Sequence, residues 1–153
     1  AVLGYGTVGS GVVEVINTNH NSINKRAGAE INIKYVLDLR DFPGDPVESL
    51  VHDYDVIAND PEVDIVVEVM GGIEPAYTFV NVPSNPAKGL HLQQALVAKH
   101  GPELMEIARE KNINFLFEAS CGGGIPIIRA LNSSLTADEI DEITGTSTEP
   151  PTT

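Results

Sequence analysis

AVLGYGTVGSGVV, residues 1–13, sets three glycines at the spacing G-x-G-x-x-G, namely Gly4, Gly6 and Gly9, directly behind an apolar triplet. Val8, Val12, Val13 and Ile16 follow at helical spacing. The segment therefore reads strand, tight turn, helix, the order in which this pattern holds a pyrophosphate. Each glycine answers a separate need. Gly4 permits the turn, Gly6 lets phosphate approach the backbone, and Gly9 lets the helix pack closely on the sheet. The free N–H groups and positive dipole end of the helix then face an anion. Short glycine patterns also occur in plain turns and in methyltransferases; the frame between a strand and a helix, with a second strand beyond, turns this one toward a dinucleotide.

The chain has 153 residues, enough for one domain with a real core, and one domain is the default. A formal net charge of -13 and a pI near 4.5 oppose binding to nucleic acid or to an anionic membrane, since both require a cationic surface. A dinucleotide remains compatible because backbone N–H groups can hold its phosphates. Cys121 is the single cysteine, which excludes an internal disulfide and suits a reducing, cytoplasmic setting. No apolar run approaches the roughly 20 residues of a membrane-spanning helix, and no signal peptide opens the chain. It begins with Ala1 and a strand of three residues, so further residues are expected before it.

Beyond the first helix, which is expected to fade in the polar segment 17–25, INIKYVL (residues 31–37) reads as a second strand. A breaker-rich loop over 42–46 leads to a short helix over 48–50 and another over 53–60, stopped by Pro61. DIVVEVM (64–70) reads as a buried parallel strand covered on both faces, ended by Gly71 and Gly72. A helix is expected from Glu74 to Val80, a loop over 81–88, and at best a short strand at 90–92. His100 to Lys111 forms an amphipathic helix with Leu104, Ile107 and Ala108 on one face and Pro102 in its first turn. INFLF (113–117) is the next strand, followed by a helix over 125–135, a last strand over 139–144 and a solvated tail over 146–153. Strands alternating with helices predict an α/β fold of Rossmann type, a doubly wound and mostly parallel sheet, as one domain over residues 1–145. Its ligand would lie where the strand ends after Leu3, Leu37, Met70 and Phe117 converge.

Asp38, at the end of the second strand, is placed to accept hydrogen bonds from an adenosine ribose, which favours NAD; Arg40 could instead pair with a 2′-phosphate, which favours NADP. Asp38 and Arg40 could equally be a surface turn pair. Asp38 follows Gly9 by 29 residues, more than the usual spacing of about 20, so the first helix and its loop must be extended. Gly71 and Gly72 would let backbone approach the second ribose, or simply turn the chain. Glu68 is unusual inside a parallel strand: its carboxylate must reach the crevice or meet a cation. Glu118 and the glycine run after it could complete a site for a hard cation. Cys121 has no activating partner nearby in sequence and reads as a plain buried or half-buried thiol. His20, His52, His91 and His100 show no metal-ligand spacing and read as surface or loop residues.

LGYGTVGSGVV, DPEVDIVVEVMGGIEPAYTFV and ALVAKHGPELMEIAREKNINFLFEASCGGGIPIIRAL together resemble the coenzyme-binding domain of homoserine dehydrogenases. EVMGGIEPA and FEAS-x-x-GGIPIIR carry more of that resemblance than the glycine pattern does. The resemblance implies reduction of aspartate 4-semialdehyde to homoserine with NAD(P)H, in threonine and methionine biosynthesis. It implies pyrophosphate at Gly4, Gly6, Thr7, Val8 and Gly9, and the nicotinamide ribose at Met70, Gly71 and Gly72. A structural Na⁺ would be held by Glu118 and the carbonyls of Cys121, Gly123 and Ile125. Gln93 and Gln94 depart from the pattern, standing where the family carries Asn and a functional Lys. Glutamine cannot supply a cationic proton donor. The family's substrate domain, which would meet the small-molecule substrate, has no counterpart in these residues, so no catalytic residue carries over and the chain alone is expected to be inactive. The resemblance is compatible with a homodimer. Two further readings stay open: a non-catalytic cofactor-binding or regulatory module, and an S-adenosylmethionine methyltransferase, which leaves GGIPII unexplained.

Overall fold

The computed structural model describes residues 1–44, 49–72, 77–78, 89–91, 94–118, 125, 127–134, 140–142 and 144. Its elements in chain order are β1 (Val2–Leu3), α1 (Thr7–Thr18), α2 (His20–Ala27), β2 (Val36–Leu37), β3 (Leu50–Val51), α3 (Asp55–Ala58), β4 (Ile65–Glu68), β5 (Gly89–His91), α4 (Gln94–Glu110), β6 (Asn114–Leu116) and α5 (Ile128–Ser134). The strands form one sheet in the order β3-β2-β1-β4-β5-β6, and every neighbouring pair is parallel. The chain winds outward from β1 to β3, then starts again on the other side of β1 at β4. That reversal makes the β1–β4 boundary the topological switch point of a doubly wound sheet.

Strand alternation decides which side chains meet which helices. Leu3, Leu37 and Val66 share one face and form the main core with Ile57 of α3 and Leu96 and Leu104 of α4. Val2 and Val36 point the other way and are also buried. On that side α1 approaches so closely that a Cβ on Gly9 would stand 3.3 Å from Val69 Cγ2. Ile65 on β4 is nevertheless 50% exposed, so the expected cover on both faces of that strand is incomplete. Val8 also differs from expectation: it is 62% exposed at the start of α1 rather than part of its packed face.

Several local expectations are revised. The polar segment after α1 does not fade but re-forms as α2, with Asn19 between the two helices accepting the Ile23 amide and donating its own to Val15. Gly28 ends α2 at φ 69°, the left-handed conformation glycine tolerates best. This extra helix accounts for the long spacing between Gly9 and Asp38. Leu50 and Val51 form strand β3, not a helix; position 48 lies outside the described residues. The second strand is confined to Val36–Leu37. Gly89–His91 is a full member of the sheet, paired on both sides.

Helix α4 begins at Gln94, so Pro102 sits inside it and not in its first turn. Asn112 closes α4 at φ 53°, while the Ile113 amide reaches back to the Ala108 carbonyl at 2.8 Å and that of Asn112 to Arg109 at 3.2 Å. This pairing is the Schellman type of helix end. His91 therefore lies in a strand and His100 inside a helix, not in loops. Residues 140–142 and 144 carry no strand. Tyr77 and Thr78 are helical; the rest of the expected helix over 74–80, the loop over 81–88 and the tail over 146–153 lie outside the described residues. No helix among the described residues is long and apolar enough to cross a membrane.

At the opposite end of the sheet from the glycine turn, Lys34 bridges Asp60 at 2.6 Å and also pairs with Glu62. The Tyr35 hydroxyl donates to Asp60 at 2.7 Å. The Lys34 ammonium, the Glu62 amide and the Tyr35 hydroxyl hold the Asp60 carboxyl below its ordinary 3.8, at about 2. A carboxyl whose folded pKa is depressed contributes stability above its unfolded pKa and loses it as pH falls through the folded one. Thermal melts of the parent chain should therefore lose stability between 3.8 and about 2. Asp60→Asn should flatten that part of the acid slope; an unchanged slope would show that the cluster contributes nothing.

Candidate functional site

A crevice of about 390 Å³ opens at the carboxyl ends of β1, β2, β3 and β4, lined by Gly4, Gly6, Leu37, Asp38, Leu39, Arg40, His52, Val69, Met70 and Gly71. Three of the four expected strand ends converge there. Phe117, which follows the edge strand β6, is not part of the lining.

The glycine turn is built by exclusion. Gly4 has φ 99°, and a Cβ on it would stand 3.0 Å from Met70 Cα. A Cβ on Gly9 would fall 1.9 Å from the Gly4 carbonyl oxygen, so only glycine lets α1 seat against the end of β1. Gly6 differs in kind: its φ is -81°, and nothing stands within 4 Å of where a Cβ would be. The space beside Gly6 is therefore left open by the fold and not demanded by packing. Gly6 caps α1 without any side-chain hydrogen bond, and no acidic residue lies in the first turn. The leading amides of a helix have no intrahelical acceptors. Thr7, Val8 and Gly9 thus open the helix at the rim of the crevice, with no acidic residue of α1's own first turn at its positive end.

Asp38 and Arg40 do not act as separate candidates. Arg40 Nε and Nη2 each lie 3.0 Å from the Asp38 carboxylate, and the Arg40 amide also donates to it at 3.0 Å. The Tyr5 amide donates to Asp38 Oδ2 at 2.8 Å. The Arg40 guanidinium, aided by these amides, holds the Asp38 carboxyl well below the usual range. Asp38 thereby fastens the glycine turn to the end of β2. The Arg40 side chain remains 64% exposed while that of Asp38 is only 10% exposed. Phe42 braces the group, with its ring edge-on to Tyr5 at 4.9 Å and under the Arg40 guanidinium at 5.1 Å.

On the other rim, Met70 precedes Gly71 and Gly72, both exposed. Gly72 has φ 104°, a conformation that requires glycine in practice. Glu68 is buried, and its Oε1 accepts the Met70 amide at 2.7 Å.

Sequence reasoning missed His52, Leu39 and Tyr5. His52 follows β3, and reading that strand as a helix hid its place in the crevice, where Nδ1 lies 2.6 Å from the Asp38 carbonyl and Nε2 3.2 Å from Asp41. Leu39 is 87% exposed at the rim. An apolar residue between Asp38 and Arg40 was the available clue.

Glu118 caps a helix in this structure. Its carboxylate accepts the amides of Ile127, Ile128 at 2.8 Å and Arg129 at 2.7 Å, capping α5. Burial pushes its pKa up, but the three amides and the Arg129 charge outweigh that and leave it lowered. Cys121 and Gly123 lie outside the described residues, as does Gln93; Ile125 is described and exposed. No group of three or more metal-binding side chains occurs among the described residues.

Strand order, the glycine turn and a crevice at the switch point define a Rossmann-type α/β domain. No protein-family model matches the chain. Curated relatives named homoserine dehydrogenase include one from Bacillus subtilis, 38% identical over 152 residues, and one from Helicobacter pylori, 39% identical over 142. These matches cover 94% and 91% of this chain, and 34% and 33% of the relatives. Among solved structures, a homoserine dehydrogenase from Thiobacillus denitrificans aligns with a TM-score of 0.78 and 38% identity over 89% of this chain and 32% of its own. That of S. aureus at pH 6.0 aligns with a TM-score of 0.69 and 35% identity over 77% and 31%. The chain is thus homologous to homoserine dehydrogenases and spans about a third of the length of the curated relatives it matches.

Two glycine substitutions should separate fold from ligand. Gly9→Ala should destabilise the chain by about 3 kcal/mol, because α1 must move off the sheet. Gly6→Val should cost about 1 kcal/mol or less, as an unfavourable helix cap in open space. Denaturant melts check both, and an equal loss in the two variants would contradict the geometry.

Proposed function

We propose that this chain is the NAD(P)-binding portion of an oxidoreductase of homoserine dehydrogenase type, acting on L-homoserine and L-aspartate 4-semialdehyde in the cytoplasmic biosynthesis of threonine and methionine. The observation that carries the reading is the bare N-terminus of α1 opening on the switch-point crevice. Similarity to homoserine dehydrogenases over 94% of the chain narrows it to that type. Residues 1–145 form the dinucleotide domain, with 146–153 as a solvated tail.

The space beside Gly6 and the free amides of Thr7, Val8 and Gly9 suit a pyrophosphate, with Gly4 setting the turn. Leu39 offers an apolar lip for the adenine, and Met70, Gly71 and Gly72 take the nicotinamide ribose. When bound, the dinucleotide supplies the hydride. The chain's own residues bind it, orient it and shape one wall of the cleft. Gln94 stands where the family carries a functional Lys, so the homoserine end of the reaction is assigned to a substrate domain of the family's kind, and a homodimer is compatible with this arrangement.

The Asp38–Arg40 pair points to NADP rather than NAD. Four donors already occupy the Asp38 oxygens, which leaves little capacity for ribose hydroxyls. The exposed guanidinium can turn to a 2′-phosphate and form a stronger charge-assisted pair. Na⁺ at Glu118 with the carbonyls of Cys121, Gly123 and Ile125 completes the proposal. Under it, the melting temperature should be higher in NaCl than in choline chloride at equal ionic strength. Equal values would leave Glu118 as a helix cap alone.

Parallel calorimetric titrations test the main reading. NADPH should bind about tenfold more tightly than NADH, and Arg40→Ala should weaken NADPH by about that factor while sparing NADH. The chain alone should bind cofactor without oxidising homoserine. Absence of binding at millimolar cofactor would overturn the proposal.

A further inference from the structure

We infer that Glu68 is a positioning residue for the nicotinamide end of the crevice, acting through the Met70 amide; the inference rests on the dinucleotide reading above. Among the described residues, Glu68 is the one buried charged or polar side chain, with no exposed surface. It shares a sheet face with Leu3, its register partner, and lies two residues from Val66, both fully buried. An apolar side chain would serve that packing at no desolvation cost, whereas a carboxyl group is tolerated there only when hydrogen-bonded.

The acceptor it supplies serves an amide two residues past the end of β4. The amides of Val67 and Val69 pair with β1, through the carbonyls of Ala1 and Leu3 at 2.9 Å each. By strand alternation the Met70 amide points to the opposite edge, toward β5. The last described β4–β5 pair is Val67 with His91, three residues earlier. Glu68 Oε1 takes the Met70 amide at 2.7 Å. The chain can then leave the sheet at Met70 and turn through Gly71 and Gly72, with φ 104° at Gly72.

Met70 held in this way is the rim that faces Gly4, with only 3.0 Å between Met70 Cα and the position of a Cβ on Gly4. The carboxyl thereby sets the separation between the glycine turn and the loop assigned to the nicotinamide ribose. Asp38 and Arg40, on the other side of β1, do not depend on it. Loss of the acceptor should weaken the whole dinucleotide and leave its adenosine half untouched, because preorganisation is lost at one end of the crevice only.

The test measures binding of NADPH and of ADP, which lacks the nicotinamide ribose, to the parent chain, Glu68→Gln and Glu68→Leu, with amide hydrogen exchange at Met70 followed by NMR. Glu68→Gln keeps an acceptor and should hold NADPH within about threefold of the parent. Glu68→Leu should lose protection at Met70 and bind NADPH about tenfold more weakly, with ADP unchanged. If Glu68→Leu does not fold, Glu68→Asp, whose carboxyl is drawn back by one methylene, carries the same expectation. Equal loss for NADPH and ADP, or no loss for either, would overturn the positioning role while leaving the dinucleotide site standing. A parent chain that binds neither would overturn the dinucleotide reading and this inference with it.

Discussion

The contact between Gly9 and the Gly4 carbonyl sets the architecture of the crevice. A single methyl group at position 9 would fall 1.9 Å from that oxygen, so the start of α1 can lie over the end of β1 only because the side chain is hydrogen. Everything at the crevice follows from that approach. The helix N-terminus is delivered to the switch point between β1 and β4, and the turn at Gly4 is pressed against Met70. The leading amides meet solvent at a place where the two halves of the sheet diverge. An acidic chain with a net charge of -13 can offer an anion site there because the attraction comes from oriented backbone dipoles and needs no basic patch.

Two carboxyl groups secure the two rims by the same physical means. Asp38 takes the Tyr5 amide and ties the glycine turn to β2. Glu68 takes the Met70 amide and ends β4 cleanly. In both cases an acidic side chain accepts a backbone amide just past the carboxyl end of a parallel strand. The charge on Asp38 is further balanced by Arg40, whose exposed head remains able to exchange partners. This economy explains why short strands of two to four residues can still define a crevice.

The sequence was most legible where one physical demand dominated. Glycine spacing located the turn because no other residue fits at positions 4 and 9, and DIVVEVM located β4 because a β-branched run has few other uses. The doubly wound order followed from alternation of strands and helices. Legibility failed where two demands overlapped. Leu50 and Val51 form too short a strand for a periodic pattern, so β3 and with it His52 were lost. The polar run through α2 hid a helix whose faces are mostly solvated, stabilised instead by basic residues at its end and a glycine cap. Asp38 and Arg40 looked like alternatives because sequence shows identity and not pairing; in three dimensions each is the other's partner. Glu118 was legible as important, but the amides it caps arrive nine to eleven residues later, beyond any local pattern.

Residue-by-residue amide shifts on addition of NADPH would test most directly whether the α1 N-terminus is the anion site. Saturating cofactor should move the amides of Gly6, Thr7, Val8 and Gly9 most strongly, with Arg40 and Gly71 following and β6 unaffected. Shifts centred elsewhere, with the first turn of α1 unmoved, would contradict the assignment of the crevice.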